Sequence, residues 1–155
     1  MKRRLLDLPS CQDVVDEIEA LRGTPYRKVG NWNLTQICQH LTATMRGGMH
    51  GFGFRFPWVL RATVSKWGFY YGLRTRRLFA GLPTIRMLKP TAPEGEDDPA
   101  IIAQCQETCR EVAAFDGTVE NYPLLNQVAT DDWRDFMWIH ASHHLGFLLP
   151  DSNES

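Results

Sequence analysis

Three of the chain's five histidines, His140, His143 and His144, fall between Trp133 and Leu149. Histidines four apart on a helix stand one above the other, with Cβ atoms about 5–6 Å apart, so His140 and His144 can share one metal ion. Advancing about 100° per residue from His140 puts Trp133 near 20°, His144 near 40°, Met137 near 60° and Phe147 near −20°. The pair therefore lies in the middle of an apolar stripe. His143, at about −60°, lies at its edge and is the weaker candidate. A buried polar nitrogen without a partner costs about 1–3 kcal/mol, and ligation removes that cost. A hydrogen-bonded core histidine is the competing explanation. It accounts for one such residue more readily than for two spaced a turn apart.

A third ligand has to come from elsewhere in the chain. His40 is the remaining histidine inside a strong helical pattern, in the run Trp32-Asn33-Leu34-Thr35-Gln36-Ile37-Cys38-Gln39-His40-Leu41. It lies about 60° from Ile37, at the border of the apolar stripe formed by Leu34, Ile37, Leu41 and Met45. His50 sits among glycines and is given no role. Three neutral imidazoles leave a divalent ion its full charge and an open coordination position, as in catalytic rather than structural zinc sites. A water bound there is acidified toward a pKa of about 7, and a thiol is held as thiolate. Nickel and iron accept the same ligands. No carboxylate is spaced as a general base, and no serine or cysteine nucleophile motif is present, so no catalytic residue is assigned beyond the ligands.

The elements that must carry these residues are helices. Ser10 caps a first one, with Cys11, Val14, Val15, Ile18 and Leu21 at helical spacing until Gly23 and Pro25. Asn33, with Gln36 three residues on, forms a capping box for the second, expected to end near Gly47-Gly48. Asp98 before Pro99 opens a third, with Cys105 and Cys109 on its core stripe. Thr130, Asp131 and Asp132 start the last, with acids at the positive end of its dipole. Between the second and third, residues 50–98 read as an insertion. One helix is expected from about Pro57 and another after Gly68, followed by a proline-rich loop over 81–98 that is functional or mobile. No strand-like alternation is visible, so the fold class expected is all-α, four helices and an inserted helical arm in a single domain over 1–155.

The 155 residues are 43% hydrophobic and 23% charged, enough to bury a core without disulfides. The net charge of −1 conceals segregation, because no acid lies between Glu19 and Glu94 while arginines and lysines recur throughout. That asymmetry points to an anionic partner. Aromatics interleaved with arginines over Phe52–Ala80 suit a peripheral membrane contact, or else pack on the bundle while the arginines are solvated. Nucleic acid is disfavoured, since no recognition motif is present and the net charge is not basic. Cys11, Cys38, Cys105 and Cys109 form no Cys-x-x-Cys pair and read as reduced, apolar core residues. The start carries Asp7 too early for a secretory signal, and no window is a membrane span, so a cytoplasmic location is expected.

The Trp32-Asn33-Leu34-Thr35-Gln36-x-x-x-His40-Leu41 motif, together with His140-Ala141-Ser142-His143-His144-Leu145, resembles the DinB/YfiT-like superfamily of metal-binding four-helix bundles. More narrowly, it is similar to the DUF1569 branch of that superfamily. The resemblance implies that His40, His140 and His144 are the metal positions and that the chain forms a homodimer. It also implies thiol transfer, with a small thiol activated at zinc or nickel. Tyr122-Pro123-Leu124-Leu125-Asn126 departs from the His-Pro-x-Phe-Gly turn usual in that branch. The expected function is a metal-dependent transferase of a small anionic thiol, whose carboxylates or phosphates are bound by arginines of the central segment. The alternatives are a metal-dependent hydrolase and a non-catalytic, metal-stabilised binding protein that uses the basic aromatic arm.

Overall fold

The computed structural model describes residues 2–151, and its architecture is mostly helical. Helices α1 (Cys11–Arg22), α2 (Leu34–His50), α5 (Pro99–Ala114) and α6 (Thr130–Leu145) share one apolar core. Two shorter helices, α3 (Trp58–Ala62) and α4 (Val64–Thr75), form the arm between α2 and α5. α5 packs on both α1 and α2, while α6 packs on α1, α2 and α4. α4 is held to α6 by Phe69, whose ring stacks on Phe136 at 4.4 Å.

The helix starts follow from local chemistry. The Asp13 amide donates to Ser10 Oγ at 3.2 Å. Asn33 and Gln36 satisfy each other's amides at 2.8 and 3.1 Å, and the Ala100 amide donates to Asp98 Oδ1 at 2.9 Å. Each cap offers an orphan amide of the first turn an acceptor from within the same few residues. At α6 the helix opens on Thr130 itself without a side-chain cap. The Thr130 hydroxyl donates instead to Gly117 O at 2.9 Å, tying α6 to the turn after α5.

Three expectations are corrected. α2 runs through Gly47 and Gly48 to His50, because both glycines lie where an aromatic ring crosses the helix: Phe52 covers Gly47 and the Trp133 indole covers Gly48. α4 begins at Val64, ahead of Gly68, and carries Gly68 and Gly72 in its interior. Gly72 permits close approach of Leu78 and Phe136, so its missing Cβ serves packing rather than helix termination. Finally, a two-stranded antiparallel ladder exists, β1 (Tyr26–Lys28) with β2 (Leu148–Pro150), in the register Tyr26↔Pro150 and Lys28↔Leu148. Strands of three residues are too short to display an alternating pattern. The apolar run after α6 is thus a strand, and α6 ends at Leu145.

The proline-rich loop over 81–98 is tethered to the start of α2. Asp97 accepts from the Tyr26 hydroxyl at 2.9 Å and from the Thr35 hydroxyl at 3.1 Å. Gln39 Oε1 accepts from the amides of Thr91 and Ala92, both at 2.9 Å. Burial, together with the neighbouring Asp97 carboxylate, pushes the Tyr26 hydroxyl up to about 12, so it remains a donor. These bonds fix a short 3-10 turn, Arg86–Leu88, against α2.

Candidate metal centre

His40 projects from the middle of α2, and His140 and His144 from the C-terminal half of α6. The crossing of these two helices brings the three rings together. His140 Nε2 lies 3.3 Å from His40 Nε2 and 3.0 Å from His144 Nε2. One ligand atom from each of the three residues lies within 4.8 Å of the others. Four-coordinate zinc with Zn–N bonds of about 2.0–2.1 Å separates ligand nitrogens by about 3.3–3.4 Å, close to what is observed.

The tautomers open to the three rings suit a shared cation better than a web of hydrogen bonds. His40 Nδ1 is 2.7 Å from Leu88 O, and a carbonyl can only accept, so Nδ1 carries the proton. Neutral His40 therefore turns a bare Nε2 lone pair toward His140. His140 Nε2 faces two nitrogens and can donate or accept only once. One of its two short contacts is then left with no proton between the nitrogens. An ion bound by all three lone pairs resolves that conflict. The Leu88 carbonyl is the kind of outer partner that fixes a ligating imidazole.

Burial, partly opposed by the hydrogen bond to the Leu88 carbonyl, lowers the His40 pKa. Burial and the neighbouring imidazoles hold His140 and His144 well below the usual range. All three thus stay neutral, the form that ligates. Trp32 stacks on His144 with centroids 5.5 Å apart and lies 5.0 Å from His40. Its place just ahead of the Asn33 capping box was the available signal for this packing role.

His143 is not one of the trio, although it lines the same cavity as they do and its ring meets His144 edge-on at 5.0 Å. Its Nδ1 lies 2.5 Å from Arg3 Nη1, so it accepts there, and burial together with the Arg3 charge pushes its pKa down to about 4. His50 is exposed at the end of α2, outside the cluster. Cys38, Cys105 and Cys109 are buried free thiols in the core, and no cysteine joins the histidines.

A pH dependence follows from these shifts. The unfolded chain's histidines protonate near pH 6.5, above their folded values, so below that pH the unfolded state binds more protons. Stability of metal-free protein is therefore fully present above about pH 6.5 and falls as pH drops toward the folded values, by up to about 1.4 kcal/mol per pH unit for each such histidine. For His143 the window extends down to about 4. Urea titrations of chelator-treated protein between about pH 7.5 and 5 check this, and the slope shrinks in His144→Gln.

The three imidazoles form one end of a cavity of about 510 Å³, walled by the arm, the 79–88 loop, the Tyr122–Leu124 turn and α6. Among the described residues, no arginine, lysine, aspartate or glutamate lines it. The arginines expected to bind a substrate's anionic groups lie elsewhere, and several of the basic residues are already partnered by acids from outside the acid-free stretch. Arg76 pairs with Asp7 at 2.6 Å and Asp135 at 2.9 Å, Arg27 pairs with Asp151 at 3.0 Å, and Lys28 bonds Glu94. No helix among the described residues is long and apolar enough to cross a membrane.

No curated protein and no solved structure matches the chain. A family model described as a protein of unknown function, DUF1569, matches residues 1–151. The match takes in α2 with His40 and α6 with His140 and His144, and by it the chain belongs to the DUF1569 family.

Proposed function

We propose that this chain is a metal-dependent enzyme built as a single DinB-like four-helix bundle with an inserted arm. In it, His40, His140 and His144 hold a divalent zinc or nickel ion that activates a small thiol for transfer. The observation that carries this reading is the convergence of three neutral imidazole nitrogens at the end of a cavity large enough for a small molecule. The bound ion would lower the pKa of a thiol or a water, which is the chemistry either a transferase or a hydrolase needs. The protein's own contribution is positional. Leu88 O holds the His40 ring by its Nδ1 proton, and Trp32 packs on His40 and His144. No carboxylate among the described residues lines the cavity to act as base, so activation of the nucleophile falls to the ion. The location proposed is the cytoplasm, where the cysteines stay reduced.

Tag-free protein loaded with zinc or nickel, assayed against a panel of thiols and electrophiles, is expected to turn over at least one pair and to lose that activity on chelation. Turnover that survives metal removal sinks the proposal.

A second reading concerns the arm and is favoured by its exposed apolar surface. Trp58 is 66% exposed, Trp67 60% and Leu82 71%. Arg55, Arg61, Lys66 and Arg74 stand among them with no acid nearby in sequence. Such a face suits an anionic lipid surface. Co-sedimentation with anionic vesicles at low salt, lost in about 0.5 M salt and with neutral vesicles, is the expected result. If instead the protein dimerises with burial of Trp67, the face belongs to the homodimer implied by the resemblance.

A further inference from the structure

We infer that the cavity takes an uncharged molecule with a single alkyl chain, its polar head directed at the three histidines. The part of this that concerns the head rests on the metal centre proposed above. The part that concerns the chain rests on the walls alone.

Phe54, Phe79, Leu82, Leu124, Phe136 and Met137 are among the apolar residues that line the cavity, and no formally charged side chain among the described residues does. Apart from the histidines, the polar side chains present are hydroxyls such as Thr44, Ser65 and Thr84. A ligand charge carried along these walls loses its hydration without meeting a counter-charge, and an isolated ion is the costliest group to bury. A thiol or hydroxyl head at the histidine end is the exception, because ligand nitrogens and an ion stand there. The volume of about 510 Å³ falls inside the range of small-molecule sites, about 300–1,000 Å³, and extends from the histidines to the arm.

The mouth supports the same ligand class. Trp67, Phe79 and Leu82 line the cavity, yet are 60%, 48% and 71% exposed, so the apolar wall continues onto the outer surface. Trp67, Tyr71 and Phe79 stack on one another with centroids 5.0–6.0 Å apart, forming an ordered aromatic ledge. An apolar chain entering from that ledge stays in apolar contact throughout. A multiply charged hydrophilic thiol finds no partner on the same route.

The test uses whole metal-free protein and the series 1-hexanol, 1-octanol and 1-decanol, followed by titration calorimetry. Each added methylene is expected to tighten binding about fourfold, equivalent to about 0.8 kcal/mol, with a negative heat-capacity change. Leu124→Glu places a charge in the wall and weakens 1-decanol at least about tenfold. Should that variant fail to fold, Leu82→Glu at the exposed mouth replaces it, with about threefold or greater weakening expected. In cobalt-loaded protein, 1-octanethiol produces thiolate-to-cobalt absorption at a concentration at least about tenfold below that needed for glutathione. Affinity that ignores chain length, or glutathione binding as tightly as 1-octanethiol, overturns the inference. At constant free 1-decanol, with its partition into the bilayer accounted for, vesicles of a diacyl phospholipid leave its binding unchanged, whereas displacement by them assigns the cavity to bilayer lipid and overturns the single-chain assignment. Protein that binds no cobalt but keeps the alcohol series refutes the metal centre alone, and protein that binds cobalt with a flat alcohol series refutes the cavity ligand alone.

Discussion

His140→Ala lowers the affinity of the protein for zinc or cobalt by more than about a hundredfold, because it removes one of only three imidazoles that converge on the site. Loss of an outer partner of a metal ligand already costs about 10–100-fold, and loss of the ligand itself exceeds that. Its Nε2 lies 3.3 Å from His40 and 3.0 Å from His144, so its removal leaves two ligands drawn from two different helices. The stability consequence separates the metal centre from a set of hydrogen-bonded core histidines. At a metal concentration about 100 times Kd, the parent gains about 2.7 kcal/mol from the ion, and the variant gains almost nothing. Without metal the variant is no less stable than the parent, since the crowded, incompletely bonded nitrogens are relieved. Core histidines predict the reverse: equal metal content, and a metal-free variant weakened by about 1–3 kcal/mol through loss of a buried hydrogen bond. Elemental analysis of tag-free protein, combined with urea denaturation with and without chelator, reads both outcomes. Equal metal content in His140→Ala and the parent refutes the assignment of the centre.

Gly48→Ala destabilises the protein by about 1–3 kcal/mol, although the same exchange in an exposed helix is favourable by about 1 kcal/mol. The added Cβ falls on the Trp133 indole, which is fully buried and packed edge-on against Phe115 at 5.7 Å. The ring cannot swing aside, so α2 and α6 have to separate. Gly68, inside α4, has open space where a Cβ would stand, with nothing within 4 Å, so Gly68→Ala is expected to stabilise by about 0.5–1 kcal/mol. The pair isolates packing from propensity, since both sites are helical glycines. Trp133→Ala costs about 3–5 kcal/mol by itself. In a double-mutant cycle, Gly48→Ala is expected to lose most of its cost once Trp133 is alanine, a coupling of at least about 1 kcal/mol. Trp133 lies on the face of α6 that carries His140 and His144, so Gly48→Ala also lowers metal affinity through the helix crossing. Equal effects of Gly48→Ala and Gly68→Ala on urea midpoints contradict the close approach.

The starts of α1, α2 and α5 were legible because a cap and its amide lie within three residues of each other, as at Ser10, Asn33 and Asp98. The relation of His140 to His144 was legible for the same reason, since one helical turn joins them. Features that depend on distant partners were not. Gly47 and Gly48 read as a helix end because glycine's low propensity is local, while the rings of Phe52 and Trp133 that favour it there come from outside the helix. The ladder between Tyr26–Lys28 and Leu148–Pro150 joins segments at opposite ends of the chain and leaves no periodic trace in either. The acid-free stretch read as a surface awaiting an anion, yet Arg76 meets Asp7 and Asp135.

By itself the sequence determined that the protein is helical, where three of its helices begin, and that His140 and His144 share one face. Each of those rests on backbone periodicity or capping over a few residues. Only the tertiary structure decided that His40 reaches them, that Leu88 O sets its tautomer, and that the cavity beside them is uncharged. These depend on how α2 crosses α6 and where the 81–98 loop is tied, and both are set by packing and hydrogen bonds between residues far apart in the chain.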